Sequence, residues 1–451
     1  MKFCTTTLGC KVNQVETEAV ESVLISHGHE LLKTGDGCDV CIINTCAVTA
    51  ESVRKSRQAV RRMRKLEPAA LIAVCGCLSQ LKEDDIRALE ADIIGGSGDR
   101  IGFAAEIEKQ YAAGQNIVEI DSDSDINTNE DKSRALSYQK KSLIDAPLER
   151  AAFEELPLGG SSGRTRAFLK VEDGCDNYCA YCIIPYARGA VRSLPIERAA
   201  EQAGQLGKQG FKEIVITGIE ISSYGKDLGA KVTIIDLMRE ISATVPETRL
   251  RLGSLDPSIF TKEFCKALSE MPNLCDHFHL SLQSGCDDTL RRMGRKYDSK
   301  TAMQSISTLR KLFPNCGITA DLIIGFPGET DDEFRQTIEL IKKARFSDMH
   351  IFPFSKRPGT RAADMPNQTT KAVRRERART AKEVSETMTS DFLEAQIGKN
   401  LKVLIERKND GYWIGHSGNY LEVAIKNEAA KNELVDAYIL GHENGRLVGE
   451  I

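Results

Sequence analysis

The N-terminal part of the chain alternates between short apolar runs and longer amphipathic segments. Lys2–Leu8, Asp39–Asn44 and Ala70–Cys75 are apolar or β-branched, and each run is followed by a turn and then by a helical pattern. Strands that alternate with helices in this way are typical of a parallel sheet covered by helices. The pattern therefore predicts a parallel α/β domain over residues 1–120.

The same alternation returns in the middle of the chain and runs through six repeats. Six βα units, in place of the eight of a complete barrel, predict an open partial (βα)6 TIM-like barrel within residues 164–395. In such barrels the loops at the carboxyl ends of the strands carry the chemistry. The predicted strands are Phe168–Glu172, Glu213–Thr217, Arg249–Leu252, His277–Leu282, Ile318–Ile324 and His350–Phe354.

The last segment, residues 398–451, has a different pattern. Lys402–Glu406, Leu421–Ile425 and Ala437–Leu440 alternate apolar and polar positions, and turns rich in asparagine and glycine lie between them. This pattern predicts a small β-barrel. Many such barrels bind oligonucleotides through exposed aromatic and basic side chains. The candidates for that role are Tyr412, Trp413, Tyr420, Lys402 and Arg407, although at least one aromatic side chain is expected in the core.

Residues 121–163 separate the first two domains. The stretch from Asp121 to Asp131 is acidic and rich in turn-forming residues, and Gly159 to Gly163 contains only glycine and serine. This composition is typical of a linker. We therefore expect three domains in the 451-residue chain.

Composition and charge limit the classes of function. No apolar run is long enough to cross a bilayer, and the first residues lack the apolar core of a signal peptide, so we expect a cytoplasmic protein with no membrane partner. In a reducing compartment the fourteen cysteines are free thiols or metal ligands. A net charge of −4 argues against a large non-specific surface for nucleic acid. Local basic patches must therefore make any contact with RNA.

One basic patch lies between the second and third predicted strands. Arg54, Arg57, Arg61 and Arg64 recur at helical spacing and would form a stripe on one helix face. The stripe is either a solvated face or a contact for a phosphate backbone.

Three cysteines lie close together after the first strand of the central domain. Cys175, Cys179 and Cys182 form the pattern Cys-x3-Cys-x2-Cys. A 4Fe-4S cluster has four irons, so three thiolates leave one iron without a protein ligand. The same spacing also fits one stripe of a helix, on which the thiols would belong to a core. Gly174 and Pro185 favour a loop, and hence a cluster.

This motif, with Tyr181 directly before its last cysteine, resembles the signature of radical S-adenosylmethionine enzymes. The wider run from Arg164 to Gly189 is similar to that of the methylthiotransferases, which insert sulfur into RNA or protein. The resemblance implies that the open iron binds the amine and carboxylate of S-adenosyl-L-methionine. It implies further that electron transfer into the sulfonium releases a 5′-deoxyadenosyl radical. The cofactor then carries the hard step, so no side chain is assigned as a catalytic acid or base.

Three further cysteines follow the predicted strands of the N-terminal domain. Cys10, Cys46 and Cys77 come just after the first, second and third strand, and the carboxyl ends of parallel strands share one edge. We expect these thiols to converge; the alternatives are unrelated cysteines in turns, and Cys75 in place of Cys77. The three boxes resemble those of the methylthiotransferase N-terminal domain, which implies an auxiliary 4Fe-4S cluster. Other cysteines of these strands, such as Cys4 and Cys41, are read as core or incidental.

The resemblance places the pocket for S-adenosyl-L-methionine at the other strand ends. Thr217, Gly218 and Glu220 follow the second strand, where the family holds the methionine amine, and the glycine would let the backbone approach the ligand. Relatives often carry another polar residue at the position of Glu220, so its role stays open.

Two more strand ends carry motifs of the same pocket. Ser281 and Gln283 follow the fourth strand, and Asp321 and Phe326 lie around the fifth. They resemble family motifs that contact the ribose, methionine or adenine. For any one of these residues a turn or packing role is the alternative.

The resemblance extends over nearly the whole chain, because the order Gly411-Tyr-Trp-Ile-Gly415 is similar to that of the RNA-binding TRAM domain. It implies methylthiolation, in which the auxiliary cluster carries the sulfur, one S-adenosyl-L-methionine supplies a methyl group and another supplies the radical. The implied partners are the anticodon stem-loop of a tRNA and an electron donor of the flavodoxin or ferredoxin type. The sulfur donor stays unknown.

Within the family the substrate follows from a few positions. The box Gly9-Cys-Lys-Val-Asn13 and the runs 164–170 and 183–188 look most like the branch that acts on N6-threonylcarbamoyladenosine at tRNA position 37. The branch that acts on isopentenyladenosine usually reads Gly-Cys-Gln-Met-Asn, and the branch that modifies a ribosomal-protein aspartate usually reads Gly-Cys-Pro-Lys-Asn. Both remain alternatives, as does a non-catalytic iron-sulfur protein that binds RNA and senses redox state.

Overall fold

The computed structural model describes residues 1–121, 140–159, 164–229, 231–426 and 428–451. They form two units. The first contains Met1–Ser162, Gly174–Asp176 and Cys182–Ala190, and the second contains Gly163–Asp173, Asn177–Tyr181 and Val191–Ile451. Most of the predicted linker, residues 122–139 and 160–163, lies outside the described residues. The predicted domain boundaries stay predictions.

A six-stranded sheet in which every neighbouring pair is parallel forms the first unit. Its strands are β1 (Lys2–Thr7), β2 (Glu30–Leu31), β3 (Val40–Thr45), β4 (Leu71–Gly76), β5 (Ile93–Gly95) and β6 (Lys141–Leu143). Their order across the sheet is β2-β1-β3-β4-β5-β6. Strands β1, β3 and β4 are the predicted ones, to within one residue at each end, and they confirm the parallel α/β domain. Strand β6 comes from the segment that composition marks as a linker.

Helices connect these strands and cover the sheet. They are α1 (Lys11–Ser26), α2 (Ala50–Leu66), α3 (Cys77–Leu81), α4 (Glu83–Arg87), α5 (Arg100–Asp121) and, from the segment after the cysteine motif, α6 (Ile184–Arg188). Phe3, Val40, Leu71, Ile93 and Phe103 form the centre of the core and are at most 1% exposed. The β-branched and aromatic residues of the apolar runs thus pack between the sheet and its helices.

The basic stripe lies on α2, as its spacing predicts. Three of its arginines are paired with carboxylates: Arg54 with Glu51, Arg57 with Asp85, and Arg64 with Asp92. These pairs are partly or largely exposed, so each contributes little to stability. The pairing fits a solvated helix face that is tied to its neighbours.

The second unit begins with the partial barrel. Its strands are β7 (Arg166–Lys170), β8 (Glu172–Asp173), β9 (Arg192–Ser193), β10 (Glu213–Thr217), β11 (Arg249–Leu252), β12 (Ser254–Leu255), β13 (His277–Gln283), β14 (Gly317–Ile324) and β15 (Asp348–Pro353). One parallel sheet has the order β11-β10-β7 and a second has the order β12-β13-β14-β15. Leu250 on β11, at the edge of the first sheet, also forms an isolated parallel bridge with Leu274. All six predicted strands are present, which confirms the open partial barrel.

Eight helices are described in this unit. They are α7 (Ile196–Lys208), α8 (Ile234–Thr244), α9 (Lys262–Ser269), α10 (Asp287–Met293), α11 (Ser299–Leu312), α12 (Asp331–Ala344), α13 (Arg361–Asp364) and α14 (Lys371–Glu394). Most follow a strand directly, as βα units require. None of the helices that the structure describes is both long and apolar enough to cross a membrane.

The chain ends in a closed barrel of five strands, which confirms the predicted small β-barrel. The strands are β16 (Asn400–Asn409), β17 (Tyr412–Ser417), β18 (Glu422–Ile425), β19 (Leu434–Glu443) and β20 (Arg446–Glu450), in the order β16-β17-β18-β20-β19. The sequence pattern indicates three of the five and not β17 or β20. Val403, Ile405, Val423, Ile439 and Leu447 fill the barrel and are fully buried.

A buried charge cluster attaches this barrel to the partial barrel. Glu213 on β10 accepts hydrogen bonds from Arg249 (2.5 Å) and Arg251 (2.8 Å) on β11, and its side chain has no exposed surface. The remaining guanidinium nitrogens donate to backbone carbonyls of the C-terminal barrel, at His416 (2.8 Å) and Gly418 (2.9 Å). Burial would raise the pKa of Glu213, but the two guanidinium groups outweigh it and lower that pKa to about 2.

We expect Glu213→Gln to destabilise the C-terminal barrel, because it leaves two buried guanidinium groups without their anion. Breaking a buried ion pair costs roughly 3–5 kcal/mol of unfolding free energy. The measurement is urea unfolding followed by the fluorescence of Trp413, the one tryptophan of the chain, which lies on β17. The matched control is Glu240→Gln, at an exposed position on α8. Equal transition midpoints for the two variants would contradict this role of the cluster.

Candidate cofactor sites

The predicted auxiliary cysteines all lie at the carboxyl edge of the N-terminal sheet. Cys10 is the N-cap of α1, Cys46 directly follows β3, and Cys77 is the first residue of α3, directly after β4. Cys46 and Cys77 are 4% and 2% exposed, and Cys10 is open to solvent. Three thiols on neighbouring strand ends therefore reach the same edge.

Two glycines let the loops bring these cysteines together. Gly9 has φ +112° and Gly76 has φ +103°, values that residues with a side chain rarely adopt. A β-carbon on Gly9 would lie 3.1 Å from Cys46 Sγ, so the loop that carries Cys10 passes directly over Cys46. A β-carbon on Gly76 would collide with the backbone of Thr45 and the side chain of Asn44. The turn before Cys77 is thus packed against the end of β3.

Cys77, and not Cys75, shares its surroundings with the other two cysteines. Burial raises the pKa of Cys77 to about 12; the positive charge of Arg188 opposes this shift, and the thiolates of Cys10 and Cys46 add to it. Cys75 lies in the apolar core of the sheet. The structure therefore places the rival Cys75 away from the group, and the ligand assignment of the other three stays a prediction.

A buried arginine that sequence reasoning missed accompanies this group. Arg188, at the end of α6, is fully buried, and its nitrogens lie 2.7 and 3.1 Å from the two carboxylate oxygens of Glu16. It also donates to Asn13 Oδ1 (2.9 Å), and Cys10 Sγ lies 3.7 Å from that oxygen. A cluster with three thiolate ligands is anionic overall, and a buried cation beside the thiols fits it.

The Cys-x3-Cys-x2-Cys segment is a loop, with no helical residue between Gly174 and Ile183. The alternative of a helical stripe of thiols is therefore wrong, for the reason that Gly174 and Pro185 indicate. Within the first unit, Cys175 N–H donates to the carbonyl of Gly189 (3.0 Å); within the second, Ala180 N–H donates to that of Met293 (2.8 Å). Three thiols at this spacing in a loop are the expected donor set for a cluster.

Within the second unit, Cys179 lines a cavity of about 200 Å³ together with Glu220, Ser222, Asp256 and Arg295. Whole small-molecule pockets measure roughly 300–1,000 Å³, so this cavity corresponds to part of a ligand. Its walls carry two carboxyl groups and three cationic groups, because Lys226 and Lys296 line it as well as Arg295. An amino acid moiety, with one ammonium and one carboxylate, is complementary to such walls.

Arg295 is the second functional candidate that sequence reasoning missed. Its side chain is 5% exposed, and it donates to Asp256 Oδ2 (2.7 Å), to the carbonyl of Ser281 (3.2 Å) and to Cys179 Sγ (3.4 Å). It thereby links the predicted pocket residue Ser281 to the cysteine loop. The sequence shows only that several arginines follow the Ser-x-Gln motif. Spacing alone does not distinguish Arg295 from Arg291 or Arg292.

The predicted residues after β10 surround a buried carboxyl group. Thr217 is the last residue of β10, Gly218 lies against Glu172, and the backbone N–H of Glu220 donates to Glu172 Oε2 (2.7 Å). Burial raises the pKa of Glu172 well above its usual value and also raises the pKa of Glu220. Glu172 Oε1 is buried without a hydrogen-bond partner among the described residues. An unsatisfied buried oxygen beside the cavity-lining Glu220 fits a site that a polar ligand completes.

The remaining predicted pocket residues lie in three different surroundings. Tyr181 packs edge-on against the buried Phe326, with ring centroids 6.4 Å apart. Gln283 has φ +60° and ends the regular pairing of β13 with β14 at a bulge. Such irregular positions at strand ends re-aim side chains and are frequent next to active sites. Asp321 is not among the residues that line the cavity, and its carboxylate contacts His279 and His350.

The C-terminal barrel uses one of its predicted RNA-stacking residues for packing. Tyr420 stacks on His277 of the partial barrel, with centroids 4.6 Å apart, and the guanidinium of Arg251 lies 4.7 Å from its ring centroid. Trp413 is half-buried, and its indole N–H donates to Glu428. Tyr420 therefore helps to join the two barrels.

Comparisons with known proteins agree with this architecture. Residues 169–341 match the radical SAM superfamily, and residues 2–96 match the uncharacterized protein family UPF0004. The radical S-adenosylmethionine methyltransferase TsrM from Kitasatospora setae has a similar fold, with a TM-score of 0.55 at 14% identity over 80% of this chain and 77% of that one.

Relatives that match this chain over most of their own length are more specific. The chain is 36% identical to the threonylcarbamoyladenosine tRNA methylthiotransferase MtaB of Thermotoga maritima, over 95% of this chain and 91% of that protein. Identity to MtaB of Bacillus subtilis is 34%, over 93% and 89%. Identity to the tRNA-2-methylthio-N(6)-dimethylallyladenosine synthase of Natranaerobius thermophilus is 30%, over 100% and 96%. The chain therefore belongs to the radical SAM tRNA methylthiotransferase family.

Proposed function

We propose that this protein converts N6-threonylcarbamoyladenosine at tRNA position 37 to its 2-methylthio derivative. The observation that carries the proposal is the similarity over more than nine-tenths of the chain to MtaB proteins, at 36% and 34% identity, against 30% for the dimethylallyladenosine synthase. The first cysteine box, Gly9-Cys-Lys-Val-Asn13, supports the same branch. The cofactors are two 4Fe-4S clusters and S-adenosyl-L-methionine.

Cys175, Cys179 and Cys182 hold the cluster of the radical site in this proposal, and the cavity beside Cys179 holds the methionine part of S-adenosyl-L-methionine. Bound there, the cofactor supplies the removal of hydrogen from an unactivated aromatic carbon, which side-chain acids and bases cannot perform. The chain's own residues bind and orient it. Glu220 is placed to accept hydrogen bonds from an ammonium group, and Arg295 to donate to a carboxylate.

The other predicted contacts of S-adenosyl-L-methionine stay part of the proposal. Thr217 and Gly218 lie three and two residues before Glu220, and Arg295 binds the carbonyl of Ser281, so all three are close in the chain or in space to residues of the cavity wall. Contacts of Tyr181, Gln283, Asp321 and Phe326 with the cofactor rest on the resemblance of their motifs.

Cys10, Cys46 and Cys77 hold the auxiliary cluster that carries the inserted sulfur. Arg188 gives this site a buried positive charge, and its bonds to Glu16 and Asn13 orient the helix that starts at Cys10. Arg188 is in this sense a positioning residue, since it acts on the thiols through charge and through Asn13.

The partners of the reaction follow from its chemistry. The substrate is a tRNA, and we propose that the anticodon stem-loop is the part that enters the site, because position 37 lies beside the anticodon. Radical cleavage of S-adenosyl-L-methionine needs a one-electron donor, for which a flavodoxin or ferredoxin type protein is suited. Since tRNA is the substrate, we place the protein in the cytoplasm.

The function is tested by mass spectrometry of nucleosides from bulk tRNA. Cells that lack this gene should lose methylthiolated threonylcarbamoyladenosine and accumulate its unmodified precursor. The wild-type gene should restore the product, and a Cys179→Ala gene should not, because the radical cluster loses a ligand. Loss of the isopentenyl product instead would assign the protein to the other tRNA branch, and unchanged tRNA would overturn the proposal.

The assignment of Cys77 over Cys75 can be tested by iron content. Cys77→Ala should leave about four irons per chain in the anaerobically reconstituted protein, in place of about eight, because one of two 4Fe-4S sites is lost. Cys75→Ala is the matched control, since it removes a neighbouring thiol that lies in the core. If Cys75→Ala lost the iron and Cys77→Ala kept it, the ligand set would have to be redrawn.

The role of Arg295 can be tested by equilibrium dialysis of S-adenosyl-L-methionine against the unreduced, cluster-loaded protein. Arg295→Gln should weaken binding at least about tenfold, because a hydrogen bond to a charged group contributes roughly 1.5–3 kcal/mol. Arg291→Gln is the matched control, since the Arg291 side chain is 75% exposed and pairs with the exposed Asp288. Iron content confirms that both variants keep their clusters, and equal affinities would exclude a binding role for Arg295.

A further inference from the structure

Two histidines and an aspartate come together on one face of the sheet β12-β13-β14-β15. His279 lies on β13, Asp321 on β14 and His350 on β15. Asp321 is the register partner of His350, and Thr319, two residues before Asp321, is the partner of His279. Residues two apart on a strand share a face, so the three side chains project from the same side of three neighbouring strands.

The side chains meet at a single oxygen atom. Asp321 Oδ1 lies 3.3 Å from His279 Nε2 and 3.2 Å from His350 Nδ1. The three potential ligand atoms lie within 4.8 Å of one another. No other group of three histidine, cysteine or acidic side chains in the described ranges is this close. The sheet thus presents three donors at a mutual distance that one ion can bridge.

The surroundings of the three side chains favour a ligand. His279 Nδ1 lies 2.7 Å from Thr319 Oγ1, a bond that fixes the ring and directs Nε2 at Asp321. A hydrogen bond of this kind on the far nitrogen of histidine is the usual second contact of a metal-binding imidazole. The exposed fractions rise from 12% for His279 to 25% for Asp321 and 57% for His350, so the group is open on one side.

We propose that His279, Asp321 and His350 form a binding site for one divalent transition-metal ion. Two imidazoles and one carboxylate suit Zn²⁺, Fe²⁺, Co²⁺ or Mn²⁺, whereas the cysteine sites of this protein suit iron-sulfur clusters. Three protein ligands leave at least one coordination position for water or an oxygen atom of a bound molecule. The site shares no predicted cluster ligand, but it shares Asp321 with the proposed contacts of S-adenosyl-L-methionine, so the test is made without that cofactor.

A second pair of histidines, His27 and His29, also contacts one carboxylate. His27 Nδ1 and His29 Nε2 lie 2.8 and 2.9 Å from the same oxygen of Glu108. This set also has two imidazoles on one carboxylate, but its three ligand atoms do not all lie within 4.8 Å of one another. It is therefore expected to be a hydrogen-bonded group without a metal.

The test uses the full-length, cluster-loaded protein under anaerobic conditions after treatment with a mild chelator. Equilibrium dialysis against Zn²⁺ alone, with elemental analysis of the protein, should give one more zinc ion per chain for the wild type than for His350→Ala. Asp321→Asn keeps the shape of the side chain and should likewise weaken binding of that ion at least about tenfold. Cysteine thiols that bind zinc elsewhere in the chain are the same in the wild type and in both variants. The difference in zinc content therefore measures binding at this site.

His27→Ala is the matched control and should bind as much zinc as the wild type. Circular dichroism and iron content confirm that each variant is folded and loaded, and His350 is exposed enough that its replacement should not disturb the sheet. Equal zinc content in the wild type, His350→Ala and Asp321→Asn would overturn the proposal and leave a histidine-aspartate hydrogen-bond network. Loss of the same ion in His27→Ala would also overturn it.

Discussion

Arg188 and Glu16 form an ion pair in which neither side chain has exposed surface. Burying two charges costs several kcal/mol for each ion, and the pair is stable only because further bonds satisfy the remaining atoms. Arg100 donates to the same carboxylate, and Asn13 accepts from Arg188. Arg188 belongs to the segment that follows the radical-site cysteines, whereas Glu16 and Asn13 belong to the helix that starts at Cys10. One buried pair therefore fixes the segment after one cysteine motif against the helix that begins at the other.

Buried carboxyl groups set the character of the cofactor cavity. Burial raises the pKa of Glu172 and of Glu220, because it disfavours the ionised form of each carboxyl group. A cationic ligand reverses this balance, because an opposite charge within a few ångströms favours the ionised carboxylate. An ammonium group bound in the cavity would therefore lower the pKa of Glu220. Arg295 supplies the opposite charge on the same wall and already binds Asp256.

The main strands of the N-terminal sheet, and the position of three cysteines at their ends, were predictable because both depend on residues that are close in sequence. Apolar runs followed by helical patterns located β1, β3 and β4 to within one residue, and the shared edge of parallel strands placed Cys10, Cys46 and Cys77 together. Sequence could not indicate the partners of Arg188 and Arg295. The first is 172 residues from Glu16 and the second 39 from Asp256, and no periodicity relates such positions. Strand β6, three residues long, carries too little pattern to be recognised.

In the C-terminal barrel, the contacts of Tyr420 could not be predicted from the sequence either. Aromatic and basic residues at strand ends suit both RNA stacking and domain packing, and only the fold decides which surface they face. The attachment of that barrel has a further property: Arg249 and Arg251 bind the carbonyl oxygens of His416 and Gly418, which every residue type possesses. These two hydrogen bonds themselves do not depend on the side chains of the residues that accept them. The outer surface of the barrel can therefore diverge in evolution while these bonds keep its position beside the partial barrel.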